Sequence, residues 1–491
     1  MKRFAASRSR STKRLAFVAG IATCVAGAGQ AQSSAPPPVM APFATVALSA
    51  ADSTFAGSST GWRTPESYGT ERRFLRATGE VFAQSLVQNL FGKYVMGEKE
   101  GFTVSWDTIE ENLHAGMNWD DNAFSTNNFR HPYQGGLYYS AGRSNHYDFY
   151  QSSMFAFAGS WGWEYLGEAH NPSFNDFVNT AVGGIILGEV MYRLSTMVLD
   201  NTATGSGRAW RELAGAAINP VRGFNRLVTG EAFEPHANPE DRFPSYWHTE
   251  FRTGLRTLGE GRLIEGGGNA KVFTSFDAEY GSPFEKMSAP YDHFDLGVQL
   301  NLDNKPHGIG RLEVHGLLGG REVSRSDKAT HLVTAYQHFD YLDNEAYTYG
   351  GMSFGARFQS RFAAQRDISA TSTLDVNGIL LGATKSDYFN ITGREYDYGP
   401  GASLKVRAAV GRRGRDIVTL EHMSYFIRSV NGGTTKSWST LNRVKVDVPL
   451  RQFLATGAEM LFFHSDREYK DLPTVHARNP ELRVYLSWQL E

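Results

Sequence analysis

Residues 481–491 alternate strictly, with Leu482, Val484, Leu486, Trp488 and Leu490 on one phase and Glu481, Arg483, Tyr485, Ser487 and Gln489 on the other. A period of two places successive side chains on opposite faces of a strand, so one face is apolar and the other charged. The same pattern recurs from about residue 245 onward. Phe251, Thr253 and Leu255 oppose Arg252 and Arg256, and Val272 and Phe276 oppose Asp277 and Glu279. Phe294 to Leu302 opposes Asp295 and Gln299, and Leu312 and Val314 oppose Glu313. Near the end, Leu404 and Val406 oppose Lys405 and Arg407, then Val444 and Val446 oppose Arg443 and Lys445. With weaker segments near 330–341, 346–361, 371–384, 416–428 and 452–464, the count reaches about twelve strands. The pattern predicts a mainly β chain whose C-terminal part, residues 244–491, is an antiparallel transmembrane β-barrel with apolar faces toward lipid and charged faces toward the lumen. Between about 62 and 243 the apolar spacing is helical, which predicts an N-terminal α-helical domain or plug.

The first residues change the picture of where such a barrel resides. Lys2, Arg3, Arg8, Arg10, Lys13 and Arg14 precede an uncharged stretch from Leu15 to Gly29, and Gly29-Gln30-Ala31 offers small residues for cleavage. Residues 1–31 read as a secretory signal peptide, and residues 32–61, with Pro36-Pro37-Pro38, as a disordered tether. Cys24 is the only cysteine and falls inside the leader, so the mature chain has no disulfide. With the leader's basic residues set aside, 43 Lys and Arg face 51 Asp and Glu, a balance that argues against nucleic acid as a partner. The expected location is the bacterial outer membrane, with lipid and the barrel-assembly machinery as partners. Short connections near 412–415 and 449–451 and long ones near 385–395 and 466–478 match the periplasmic and extracellular sides of such barrels.

The helical part carries a long string of motifs. From His131 it reads His-Pro-Tyr-Gln-Gly-Gly-Leu-Tyr-Tyr-Ser, continuing to Arg143 and Asn145. Trp163-Glu164-Tyr165, Glu168, Asn171-Pro172-Ser173 and Asp176 follow, then Gly183-Gly184, Gly188-Glu189, Asn219-Pro220 and Asn225-Arg226. This succession resembles the bacterial domain of unknown function 3943 family over about residues 125–230, departing from it by Gly142 between Ala141 and Arg143. The resemblance implies an N-terminal helical region followed by an outer-membrane barrel. It implies no activity.

Read from the residues, the stretches Ser152–Trp163 and Phe177–Gly188 are uncharged and too short to span a bilayer, which makes them buried or interfacial helices. Ser173 is a helix cap with Asp176 three residues on, and Gly184 with Gly188 lets two helices approach closely. His131, Glu164, Glu168, Asp176 and Glu189 are the candidate catalytic groups. His131, Glu164 and Glu168 could hold a divalent metal, since carboxylates and a histidine suit that chemistry. The competing reading, favoured by the cost of isolated buried charge, is an ion-pair network in which Arg143 and Arg193 satisfy Glu164 and Glu189. No cofactor signature, zinc motif or nucleophile elbow is present.

Three functions remain open on these grounds. The leading one is a non-enzymatic outer-membrane barrel serving envelope maintenance or passage of a small polar or lipid-derived solute. The second is an envelope enzyme acting on lipid or lipid-linked sugar through Glu164, Glu168 and His131. The third is a structural protein of envelope assembly. The link from Gly230 to Phe243 reaches at most ~50 Å, which leads to the expectation of a periplasmic helical domain docked at the barrel mouth.

Overall fold

Alternation resolves into twelve antiparallel strands, each paired with its sequence neighbour and closed by β12 on β1. The computed structural model describes residues 71–259, 270–302, 307–365 and 367–490. The signal peptide and tether expected over 1–61 lie outside the described residues. The strands are β1 Trp247–Leu258, β2 Lys271–Tyr280, β3 Phe294–Asn301, β4 Ile309–Arg325, β5 Ala329–Asp343 and β6 Thr348–Gln365. They continue with β7 Ile368–Lys385, β8 Tyr396–Arg412, β9 Arg415–Arg428, β10 Thr434–Pro449, β11 Leu454–Tyr469 and β12 Val475–Leu490. Closure leaves no strand edge, so every ladder hydrogen bond has a partner within the sheet. β8 and β9 meet at Arg413 and Gly414, both at positive φ (52° and 78°), the conformation of a tight hairpin turn. The connections at the opposite end are mostly longer, although 344–347 is short there and 281–293 is long on the β8–β9 side.

Ion pairs between strands that are not neighbours identify the inner face. Lys405 on β8 reaches Asp340 on β5 at 2.7 Å, and Arg483 on β12 donates to Gln299 on β3 at 2.7 Å. Arg252 on β1 bridges Asp277 on β2 and Glu459 on β11. The charged phase therefore fills the lumen, as its alternation predicts. The opposite phase faces outward and is apolar and exposed over much of the wall, including Val484, Leu486, Val444, Val446, Phe358 and Val376.

Helices precede the barrel. They are α1 Phe74–Phe91, α2 Trp106–His114, α3 His131–Ser144, α4 Phe149–Gly162, α5 Phe174–Val178, α6 Gly184–Val198, α7 Gly205–Ile218 and α8 Pro220–Thr229. A further short helix, α9 (Phe389–Thr392), sits between β7 and β8. π turns follow α1 and α4, precede α3, and join α5 to α6. α3 and α6 pack backbone to backbone: a Cβ on Gly184 would come 2.5 Å from the Gly135 Cα, so the small residues at 184 and 188 serve close helix pairing. At the centre, Glu189 accepts from Arg143 Nε at 2.8 Å, Arg193 Nε at 2.8 Å and the Tyr139 hydroxyl at 2.7 Å, all buried.

The helices neither plug the lumen nor cap a mouth; they pack on the outer wall. One register row shows this. Trp488, Phe251, Phe276, Val298, Leu312, Tyr341, Gly350, Ala383 and Tyr398 are successive cross-strand partners on the outward phase. Phe276 is exposed, but Leu312, Tyr341, Ala383 and Tyr398 are buried. Phe124 stacks on Tyr341 with ring centroids 5.3 Å apart, Trp119 lies 5.9 Å from Tyr398, and Asn179 donates to the Tyr398 hydroxyl at 3.0 Å. Glycines make room: a Cβ on Gly350 would strike Asn128, and one on Gly316 would enter the ring of Tyr291, which the 281–293 loop folds back over the wall. Phe149 stacks on Tyr291, and Arg193 donates to the Pro290 carbonyl at 2.7 Å. The expectation of a helical domain docked at the barrel mouth is not met, because Trp119, Phe124, Asn179 and Arg193 pack on the wall, which offers them an aromatic surface.

Two outcomes check this arrangement. In a Cys24→Ser background, cysteines at Phe124 and Tyr341 should be joined by a short bismaleimide, while Phe124 paired with exposed Val333 should not; a crosslink from Phe124 to Arg413 instead would place the helices at the mouth. Glu189→Gln removes the buried counter-charge of Arg143 and one of the two held by Arg193 and should cost about 3–5 kcal/mol, read as a lower denaturant midpoint of the refolded protein. Replacing Arg143, Glu189 and Arg193 together by methionine should restore most of that loss.

Candidate functional site

The sequence-selected polar residues separate into two clusters. Glu189, Arg143 and Arg193 form the first, and both oxygens of Glu189 are saturated by their hydrogen bonds. A carboxylate so occupied has no lone pair to spare for a metal or a proton transfer, so Glu189 is a structural acid. Both arginines converge on Glu189, and among the described residues Glu164 has no arginine partner.

The second cluster gathers around Glu164, on the π turn Trp163–Gly167. π turns recur at functional positions because the extra residue re-aims side chains. Glu164 is wholly buried. Its Oε2 accepts the Ser173 amide at 2.7 Å, and Oε1 has no hydrogen-bond partner among the described residues. Ser173 caps α5 by accepting the Asp176 amide at 3.3 Å, as its spacing predicts. The reciprocal acid of that cap is Glu164, rather than Asp176. Asn175 ties the cluster together: its Oδ1 accepts from the Ser173 hydroxyl at 3.0 Å and the Asp120 amide at 2.9 Å, and its Nδ2 donates to Asp176 at 2.9 Å. Asn127 donates to Asp120 Oδ2 at 2.9 Å and to the Tyr396 hydroxyl at 2.7 Å, so the chain of polar groups ends on the barrel wall.

His131 opens α3 and reaches Asp176 at 3.7 Å through Nε2, with Nδ1 3.1 Å from the Thr180 hydroxyl. Burial, with the charges of Glu168 and Asp176, holds Glu164 well above the usual carboxylate range, and burial with Asp176 and Asp120 does the same to Glu168. The cluster is not assembled as a metal centre: His131, Glu164 and Glu168 do not bring three ligand atoms together among the described residues, because Glu164 turns to the Ser173 amide and His131 to Thr180 and Asp176. The group that does so is Glu279, His293 and Asp295, whose ligand atoms lie within 4.8 Å of one another on the lumen side. There Arg357 already contacts Asp295 at 3.3 Å and supplies the positive charge.

Alternation predicts the lumen charges, but it misses a second lumen feature. Tyr347, Tyr349, Tyr425 and Phe463 form an inward apolar cluster with Leu342, Ile379, Met423, Ile427, Leu441 and Leu461, near the end that carries the 386–395 loop. Tyr347 and Phe463 stack at 5.7 Å, and the rings of Tyr349 and Tyr425 lie 4.1 Å apart, tilted by 36°. Aromatic residues on the otherwise charged phase were the available signal.

Glu164→Gln tests the buried carboxyl. A carboxyl whose folded pKa is raised stabilises the fold fully below its ordinary value of 4.5, and that contribution is lost as pH rises toward the folded value. The glutamine stays neutral, so the variant should be more stable than the parent at neutral pH, by about 1–3 kcal/mol for one buried uncompensated group, and should lose the parent's decline above pH 4.5. A destabilised variant would mean that Glu164 is charged and paired.

Residues 116–221 match the profile of a family described as a domain of unknown function, DUF3943. No curated protein matches the chain. Among solved structures it is similar to the NanC porin, at 10% identity and TM-score 0.28 over 49% of this chain and 98% of that one. It is also similar to the KdgM porin, at 7% identity and TM-score 0.22 over 49% and 98% of the two chains. A third likeness is to the toluene transporter TodX of Pseudomonas putida, at 7% identity and TM-score 0.20 over 51% and 90%. Residues 116–221 are thus similar to the DUF3943 family, and a closed twelve-strand barrel follows them in the same chain.

Proposed function

We propose that this protein is a bacterial outer-membrane barrel with a passage that rests closed and serves a small polar solute carrying both charges. The membrane reading is supported by the outward phase of the wall, apolar and exposed on β5 to β12, against a lumen phase of charged residues. The observation that carries the solute reading is the state of the lumen beneath the aromatic cluster. Arg443 pairs with Glu421 at 2.7 Å, Arg311 with Glu313 at 3.0 Å and Arg483 with Glu481 at 2.7 Å. Even so, Arg443 Nε, Glu313 Oε1 and Glu481 Oε2 are buried with no hydrogen-bond partner among the described residues. Unfilled donors and acceptors of both signs within one lumen suit a solute that offers an ammonium or hydroxyl and a carboxylate together. Self-paired charge and stacked aromatics close the route at rest. An enzymatic role at Glu164 lacks an open approach, since that carboxylate is wholly buried.

In planar bilayers the intact protein should show no steady conductance. Tyr347→Ala with Phe463→Ala, which opens the aromatic seal, should give a conducting state and admit a zwitterionic amino acid into liposomes faster than a neutral sugar of similar size. Steady conductance by the parent would refute closure. A seal variant that reaches the membrane, shifts on a gel when heated and still passes nothing would end the passage reading.

A further inference from the structure

Three helices of the N-terminal domain are built inside out. In a water-soluble domain an amphipathic helix turns its apolar stripe to the core. α1 does the reverse. Its Glu80 faces inward and accepts from Asn145 at 3.0 Å and Asn225 at 2.8 Å, Ser85 lies 2.8 Å from the Tyr138 hydroxyl, and Asn89 donates to the Gly167 carbonyl at 2.9 Å. Phe82, Leu86, Val87 and Leu90 lie on the opposite side and are exposed, Phe82 by 72%. No charged residue occurs between Val81 and Gly92. On α4, Ser152, Ala156, Gly159 and Ser160 are buried, and Met154, Phe157 and Trp161 are exposed. On α8, Arg222, Asn225 and Arg226 are buried, and Phe224, Leu227 and Val228 are exposed. Polar and small residues inside with large apolar ones outside is the arrangement of helices surrounded by hydrocarbon, where small residues allow close packing and polar groups pair within the bundle.

The place where these helices dock agrees. The outward row that is half-buried at Trp488 and Phe251 and exposed at Phe276 passes under the helical domain at Val298, Leu312 and Tyr341. The domain thus occupies the same belt of the wall that elsewhere faces outward as bare apolar surface. α1, with 18 residues, is about 27 Å long at 1.5 Å per residue, close to the roughly 25 Å height of the apolar band of such barrels.

We infer that the helical domain is an integral part of the membrane-facing surface: α1, α4 and α8 present their outer faces to lipid acyl chains, and the domain sits in the bilayer beside the barrel rather than in the periplasm. This rests on the membrane reading of the barrel proposed above. The partner is the hydrocarbon of the lipid, and the exposed apolar area, far larger than scattered surface residues would make, is its contact surface.

The test uses the full chain in a Cys24→Ser background, refolded into phosphatidylcholine–phosphatidylglycerol vesicles, with one spin label at a time at Phe82→Cys, Phe157→Cys or Leu227→Cys. Val446→Cys on the barrel wall and Arg413→Cys in the β8–β9 turn serve as references, and heat-modifiable migration confirms that each variant is folded. The helical labels should collide with dissolved oxygen and escape a water-soluble nickel chelate, as Val446 should, while Arg413 should show the converse. Helical labels that meet the nickel chelate while Val446 does not would overturn the inference and leave the barrel reading standing. Nickel access at Val446 as well would remove both. Helical labels shielded from both reagents and broadened by a second label would mean that another copy of the chain covers the patch, which also overturns it.

Discussion

Closure of the sheet is the constraint on which the rest depends. Once β12 pairs with β1, every strand has an inside and an outside, and each charged residue on the inner phase must find its counter-charge in a narrow space shared by all twelve strands. Arg252 between Asp277 and Glu459, Lys405 at Asp340, and Arg357 with Asp375 at 2.6 Å are solutions to that demand. A buried charge without a partner would cost several kcal/mol, so the lumen becomes a network of opposite charges in pairs, even where single donor or acceptor atoms stay unfilled. The helices lie outside that network, against the aromatic residues of the wall.

The strands were readable because alternation is a local property. Lys405, Arg407, Arg443, Lys445, Glu481 and Arg483 point inward as their phase predicts, and the segments near 330–341 and 371–384 lie within β5 and β7. The position of the helices was not readable from alternation, because an apolar outward residue looks alike whether lipid or protein covers it: Tyr341 and Leu486 occupy the same phase. What distinguishes the covered part of the wall is its chemistry. Tyr396 and Tyr398 carry hydroxyls that acyl chains could not satisfy, and Gly316 and Gly350 leave hollows into which Tyr291 and Asn128 fit.

The candidate site was half legible. Arg143, Glu189 and Arg193 form the buried ion pairs that the cost of isolated charge demands, since Glu189 and Arg193 are one helical turn apart. Glu164 escaped the same reasoning. Its partner is a backbone amide at Ser173, and a backbone amide leaves no trace in the identity of the residue that bears it. The π turn that aims Glu164 inward is likewise set by packing: Trp163 is buried, and a Cβ on Gly167 would sit 2.8 Å from its indole.

The hydroxyls of Tyr396 and Tyr398 have a consequence for how the protein comes into being. Each is buried on the outer wall and bonded to an asparagine of the helical domain, Asn127 and Asn179. Were the helices to leave, these groups would meet solvent or hydrocarbon instead, and in hydrocarbon an unbonded hydroxyl costs several kcal/mol. The wall formed by β5 to β8 is therefore unfinished without its helices. The N-terminal domain is synthesised before the strands it completes, so it must wait in a form that can still dock, and the two halves of the chain enter their final environment as one assembly step.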